Sequence, residues 1–579
     1  MRYPKLRELP AERKTVDAFR GYNHNLRIAD SEFFDMKNMT SDYYPVLSPR
    51  GKRGTYCQAK NPQGILAKDR LCYVDGDSLV IGDEYVNLKL STEAADCPKQ
   101  LISMGAYIIV MPDRKYVNTI DLNDYGSIEA AFTTTEEVTF CLCTMEGEDY
   151  GDTVVSDKAP ENPENLQLWV DTSSKPHTLK RWASSSEMWV SIATTYIKIG
   201  SRGIGRAFSQ YDGVTISGAK REELNGTMVI WAKGDDYIVV IGILDEVVTQ
   251  TEPLTVERRM PNMDFVIESE NRLWGCRYGT ARNGEVVNEI YASKLGDFKN
   301  WNCFMSVSTD SYVVSCGTDG AFTGAVTHLG YPLFFKENCV HKVYGNYPAN
   351  FQIQTIACRG VQKGSHRSLA IVNETLYYKS RTSVCAFDGA LPVEVSYCLG
   401  NEPYMDAVGG AYGNKYYISM KDQFGVWHLF VYDAGKNMWH REDNFRADGF
   451  CSWMGELYAI EHDTGKIRTM IKAADDPEEK VEWMVQTGEL GITTPDMKYI
   501  SRLTIRMALE VGTEIRVFAM YDFSDQWEPL FALRSTNLRS FAIPIRPRRC
   551  DHMKLRIEGD GPGKIYGYTK TIEQGSDIS

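Results

Sequence analysis

The sequence predicts an all-β protein: a six- or seven-bladed β-propeller interrupted by a small inserted β-domain and followed by a C-terminal β-sandwich. Three observations lead there. A unit of apolar strand, tight turn, Tyr-rich strand, polar turn and third strand recurs seven times, beginning at Leu71, Leu101, Asn271, His328, Ile371, Ala411 and Ser452. Equivalent positions Pro332, Leu376, Tyr416 and Leu457 lie 40 to 44 residues apart, the length of a four-stranded propeller blade. The 33 Tyr and 47 Gly, with few long apolar runs, favour strands and turns over helices.

Each part follows from its local pattern. Residues 1–55 lack blade patterning and read as an N-terminal arm; 56–131 hold the first two repeats. Gly76, Gly105, Gly330, Gly413 and Gly455 sit where a hairpin turn needs positive φ or a close backbone approach. A single twisted sheet buries neither face alone, so such units stack radially. Residues 132–262 break the period with a turn-rich acidic linker and alternating stretches such as MWVSIATTYIKIG and DYIVVIGIL, and read as an inserted β-domain. The propeller resumes over 263–472. After the charged connector IKAADDPEEKVEW, one-face alternation in SRLTIRMAL and EIRVFAMYD marks 473–579 as a β-sandwich.

Charge and cysteine content narrow the function. The net charge is -13, against the clustered Lys and Arg that tight phosphate binding needs, although an acidic wall suits a passage along which a polyanion must slide. The 14 Cys are scattered among apolar neighbours and read as reduced, buried thiols. The opening MRYPKLRELPAERK is polar, and no stretch reaches the about 18 apolar residues of a membrane span. Synthesis in a cytoplasm is expected.

Chemistry-bearing motifs are sparse. The chain contains no GxxxxGK[ST], HExxH or G-x-S-x-G, and GSRGIGRAF from Gly200 lacks dinucleotide-loop spacing. No cofactor or metal is expected; Cys141 and Cys143 share a strand face, which reads as two buried thiols before a metal contact. Propellers also host glycosidases, for which Asp310, Asp319, Asp388, Asp433 and Asp463 are the candidate carboxylates. Asp beside Gly in TDG, FDG and HDTG is better explained as turn chemistry. Trp182, Trp189 and Trp231 in the insertion offer a sugar platform, with core packing as the blander reading. Arg546, Arg548 and Arg549, with Lys554 and Arg556, form a basic cluster: a solvated strand face or a docking patch for an acidic partner.

Two segments go beyond generic blades. FKNWNCFMSVSTDSYVVSCGTDGAFTGAVTHLGYPLFFKENCVHKVYGNYPANFQIQTIACRGVQKGSHRSLAIVNETLYYKS from Phe298, and FFDMKNMTSDYYPVLSPRGKRG from Phe33, resemble tail or packaged-DNA-stabilisation-like proteins of phages and prophages. In that family an N-[ML]-[ST]-x-D-x-x-P-x-[LA]-x-x-R arm precedes the blades, matched here by Asn38, Met39, Thr40, Asp42, Pro45, Leu47 and Arg50. The insertion is unmatched. The resemblance implies a non-enzymatic virion protein: a tail nozzle or hub below the portal and head–tail adaptor of a short-tailed phage, meeting tail fibres or other tail proteins. It implies a homo-hexamer enclosing double-stranded DNA without gripping it. In that setting the arm, with Asn38, Asp42, Tyr43, Tyr44, Pro45 and Arg50, is expected to dock on a neighbouring subunit or adaptor. A carbohydrate-binding surface propeller and a propeller glycoside hydrolase are the alternatives.

Overall fold

The computed structural model describes residues 11–93, 98–281, 284–493, 497–522 and 524–574. The first ten residues of the expected arm lie outside this range. The described chain is all-β: it contains strands and short 3-10 turns and no α-helix.

Seven four-stranded sheets recur along the described chain, six of them with four consecutive strands hydrogen-bonded in a simple meander. The first runs from Pro62–Ala67 to Glu84–Asn87, the second from Gln100–Met104 to Tyr125–Ser127, and the third from Phe265–Ser269 to Tyr312–Ser315. The fourth spans Gly324–His328 to Gln352–Ala357, the fifth Ala370–Val372 to Val393–Glu394, and the sixth Met405–Tyr412 to Met438–Arg441. The seventh takes three strands from Ala447–Trp453 to Lys466–Thr469 and its fourth from far upstream, Gly54–Gln58, which pairs antiparallel with Lys466–Thr469. Each of the seven repeats read from sequence falls in a different one of these sheets. The turn glycines explain the regularity: Gly76, Gly105, Gly330, Gly413 and Gly455 have φ of 66°, 53°, 80°, 55° and 72°. Left-handed geometry is the reason for them, because a side chain at Gly76, Gly105, Gly413 or Gly455 would meet nothing within 4 Å.

The described residues group into two units. One takes in residues up to Leu101, Phe334–Val340 and those from Thr355 onward; the other takes in Ile102–Leu333 and His341–Gln354.

In the second unit, the segment between the second and third sheets forms three sheets of its own. A four-stranded sheet containing Ala130–Thr133, Thr255–Arg258 and Gly213–Ser217 shares an apolar core with a five-stranded sheet built on Val138–Cys143, Tyr196–Gly200 and Tyr237–Ile241. Val138, Phe140, Ile197, Ile199, Val214, Ile216, Ile238, Val240 and Val256 fill that core from alternate positions along their strands. A third sheet, Thr153–Ser156 through Met188–Ser191, contains one parallel pair.

In the first unit, the C-terminal strands are not a self-contained sandwich, and the N-terminal segment is not a separate arm. They form one eight-stranded sheet. Ala11–Val16 pairs with Gly563–Gln574, and Phe33–Lys37 pairs with Glu482–Thr487. The 24-residue strand Lys498–Tyr521 is its spine: the first half pairs with Gly563–Gln574 and the second half with Met553–Asp560. Its pairing shifts register between Leu509 and Glu514, a stretch holding Gly512 with φ 88°. The sheet encloses a core of Leu503, Ile505, Val517, Leu555, Ile557 and Ile565, continuous with Phe19, Phe33 and Met36 of the N-terminal segment and Tyr416, Phe430 and Trp439 of the sixth sheet.

Candidate functional site

The N-terminal residues singled out by sequence divide into two groups. Asn38, itself at φ 56°, donates through Nδ2 to the Glu482 carbonyl at 2.7 Å and accepts from Arg50 Nε at 2.9 Å. Arg50 is buried, and its guanidinium holds Glu478 at 2.7 and 3.0 Å. These two side chains are committed within the chain, so they are unavailable to a neighbour. Asp42 is exposed and ion-paired to Lys415 at 2.5 Å; its partial burial opposes ionisation, yet Lys415 holds its carboxyl below the usual range. Tyr43 and Tyr44 are exposed, with Lys564 Nζ 3.9 Å from the Tyr43 ring. Pro45 accepts the Phe19 amide at 3.2 Å through its carbonyl. Of the six residues, Asp42, Tyr43, Tyr44 and Pro45 are those left facing solvent.

Sequence reading missed the residues next to them. Arg53 donates to Glu442 at 2.6 Å and to Asp443 at 2.7 and 3.1 Å, and the carboxylate of Glu478 also accepts the Arg53 amide at 3.0 Å. Arg50 and Arg53 thus face Glu442, Asp443 and Glu478 in one network. Burial pushes against ionisation of Asp443, but Arg53 and Arg50 hold its carboxyl low; burial and Arg50 act in the same opposed way on Glu478. No local signal in the sequence joins these residues, because the partners stand 389 to 428 positions apart.

The basic cluster lies on the terminal sheet. Arg548 forms a bidentate pair with Glu528 at 2.9 and 3.2 Å and stacks 4.7 Å from Tyr521. Arg546 and Arg549 are exposed. Lys554 pairs with Glu489, and Arg556 lies 4.1 Å over Trp527. Beside them runs Glu528–Ile543, a largely exposed 16-residue strand bonded within the sheet to Lys498–Tyr521 alone among the described strands. A long sheet edge of this kind is a ready template for pairing with another chain.

Three of the five candidate carboxylates serve separate turns. Asp310 accepts the amides of Met305 and Val307 at 2.7 and 3.2 Å, Asp388 accepts that of Ala390 at 3.0 Å, and Asp433 accepts from Ser41 Oγ at 2.5 Å and Lys436 Nζ at 2.9 Å. Asp319 and Asp463 are exposed beside turns containing Gly320 and Gly465, both of positive φ.

Cys141 and Cys143 do lie on one strand. Burial pushes both thiols up, to about 11 and about 12, which keeps them protonated and poor metal ligands at neutral pH. Among the described residues no cluster of three or more His, Cys, Asp or Glu is arranged to hold a metal ion.

The structure separates the three insertion tryptophans. Trp231 packs edge-on to Tyr196 and Tyr211. Trp182 and Trp189 are cross-strand partners, and Trp189 also meets Trp169, with centroids 5.4 and 5.2 Å apart. Trp169 sits opposite Lys180, whose ammonium lies 4.8 Å over its ring and 2.7 Å from Asp171. Register places these three rings, Lys180 and Asp171 on one face.

No family model matches the chain, and no curated protein matches it. Among solved structures, the chain is similar to an exo-β-1,3-galactanase from Phanerochaete chrysosporium, at 6% identity and TM-score 0.22 over 53% of this chain and 94% of that one. It is also similar to the sialidase of Trypanosoma rangeli in complex with sialic acid, at 10% identity and TM-score 0.24 over 98% and 96%. Likenesses this weak carry no inference about activity.

Proposed function

We propose that this chain is a structural subunit of a virion tail, a nozzle or hub of a short-tailed phage, built on a seven-bladed propeller and assembled as a homo-hexamer around the path of double-stranded DNA. The reading rests on the family resemblance of residues 33–54 and 298–380. The observation that carries it is the way both ends of the chain are locked. Gly54–Gln58 completes the seventh sheet, while Ala11–Val16 and Phe33–Lys37 are strands of the terminal sheet. A repeat body whose first strand is sewn into its last sheet resists peeling from either end, which suits a wall that holds DNA under pressure. Asp42, Tyr43 and Tyr44, with the edge Glu528–Ile543 and Arg546, Arg548 and Arg549, are the surfaces assigned to neighbouring copies, portal, adaptor or other tail proteins. No helix among the described residues is long and apolar enough to cross a membrane.

The test is the mass of the purified chain by light scattering, with negative-stain imaging and peptide mapping of virions. A closed ring with a central hole, and the chain present in particles, supports the proposal. A strict monomer absent from particles overturns it.

A second reading, carbohydrate binding by a surface propeller protein, is favoured by the face carrying Trp169, Trp182 and Trp189 beside Lys180 and Asp171. Glycan-array binding lost in Trp182→Ala and Trp189→Ala would support it, and an array without signal would remove it. The hydrolase reading gains nothing from Asp310, Asp388 and Asp433, whose carboxylates are each engaged in a separate turn.

A further inference from the structure

We propose that the pocket between the fifth and sixth sheets is a binding site for a small organic carboxylate, with Lys379 as the group that receives its negative charge. The site is independent of the tail reading. It has a volume of about 310 Å³ and lies wholly within the first unit.

Lys379 ends the strand Thr375–Lys379 and is 3% exposed. Its Nζ donates to the Ser380 carbonyl at 2.5 Å, and among the described residues no carboxylate pairs with it. An ammonium has three donors, and burying its charge without a counter-charge costs several kcal/mol. Other buried cations here are better provided for. Lys570 holds Asp30 at 2.9 Å, and Arg272 donates to the carbonyls of Ser293, Asp310 and Ser308 at 2.7, 2.6 and 2.9 Å.

Geometry gives the charge an outlet. Strand alternation puts Lys379 on the same face as Tyr377, which stacks on Tyr416 of the sixth sheet at 5.3 Å. That face borders the pocket, whose walls include Val384, Leu399, Tyr404 and Met420, all buried. Arg381 stands at its exposed rim. A carboxylate with a compact apolar body matches this lining, its head towards Lys379 and Arg381 and its body against the apolar wall.

The titratable groups facing Lys379 set the pH dependence. Burial pushes its amine down to about 8, and the nearby Cys385 sulfur acts against that shift. Glu394 and Glu402 also line the pocket; Glu394 is paired with Arg359 at 2.9 Å, and Glu402 accepts from Gln423 at 3.4 Å. Burial keeps the Tyr404 hydroxyl protonated. Anion binding therefore strengthens below pH about 8 and weakens above it, as Lys379 loses its proton.

The experiment is calorimetric titration of the full chain at pH 7 and pH 9 with benzoate, with benzyl alcohol as neutral counterpart and inorganic phosphate as an anion lacking the apolar body. Benzoate is expected to bind at millimolar concentration at pH 7, to weaken at pH 9, and to exceed both comparison compounds. Lys379→Met should lower benzoate affinity at least about tenfold, the loss expected of a charged hydrogen bond. Because an apolar replacement of a buried charge is often neutral for folding, its melting temperature should stay near that of the parent. Arg381→Ala, at an exposed position, should weaken binding by a smaller factor. Equal binding of benzyl alcohol, phosphate as strong as benzoate, unchanged affinity in Arg381→Ala or in folded Lys379→Met, or no benzoate binding at all would each overturn the proposal.

Discussion

Arg53 and Glu442 meet at 2.6 Å across 389 residues of sequence, and the same guanidinium also holds Asp443. Arg53 sits one residue before the strand that completes the seventh sheet, while Glu442 follows the last strand of the sixth. The pair therefore ties the entry into the repeats to the junction between the sixth and seventh sheets. Arg53→Ala leaves the buried Glu442 and the half-buried Asp443 with Arg50 alone, at 3.6 and 3.4 Å, and should destabilise the first unit by roughly 2 to 4 kcal/mol. Thermal and denaturant unfolding measure this. A change below about 1 kcal/mol would show that the network contributes little net stability.

The same network predicts acid sensitivity with a definite sign. Asp443 and Glu478 have folded-state pKa values below their ordinary ones, with Arg50 and Arg53 overcoming the cost of burial. Such groups contribute stability above their unfolded pKa and lose it as pH falls through the folded value. Unfolding midpoints should therefore drop below about pH 4. The drop should be smaller in Glu478→Gln, which removes one of the titrating groups.

His440 acts in a higher pH window. Burial pushes its imidazole down to about 3, so it is neutral in the folded protein and gains a proton more readily when unfolded. A base with a lowered folded pKa supports stability above its unfolded value, near 6.5, and loses it progressively as pH falls towards 3. His366, pushed down to about 4 by burial, adds to the same slope. Melting temperature recorded between pH 8 and pH 5 should decline, and His440→Phe should flatten the decline. An unchanged profile in that variant would assign the slope to other groups.

How far the sequence disclosed this depended on whether the signal was local. The seven repeats were legible because each encodes its own hairpin, down to the positive-φ glycines Gly76, Gly105, Gly413 and Gly455. The turn roles of Asp310, Asp388 and Asp433 were legible for the same reason. The sharing of one sheet by residues 11–37 and 482–574 was not, because strand pairing over such separations leaves no pattern in either segment alone. Arg50 reads as a docking residue of an arm, and only the fold brings Glu442, Asp443 and Glu478 to it and to Arg53. Lys379 is an ordinary final lysine of a Tyr-rich strand until the sixth sheet buries it.

Gly21 fixes how the N-terminal segment lies on the sixth sheet. It has φ 83°, and a Cβ there would collide with the carbonyl of Trp439, the same oxygen that accepts the Tyr22 amide at 2.7 Å. Gly21→Ala therefore faces two obstacles together: left-handed backbone, costing about 1 kcal/mol or more in a non-glycine residue, and a clash with backbone that has no flexible end to move aside. Relief requires the segment to lift, which would break the Tyr22 hydrogen bond and disturb Phe19 and Phe33 in the shared core. The expected outcome is a loss of about 2 to 4 kcal/mol, with faster hydrogen exchange over residues 19–37 and over the paired strand Glu482–Thr487. Faster exchange confined to residues 19–24 would instead mean that the Phe33–Lys37 strand holds its place without the Gly21 contact.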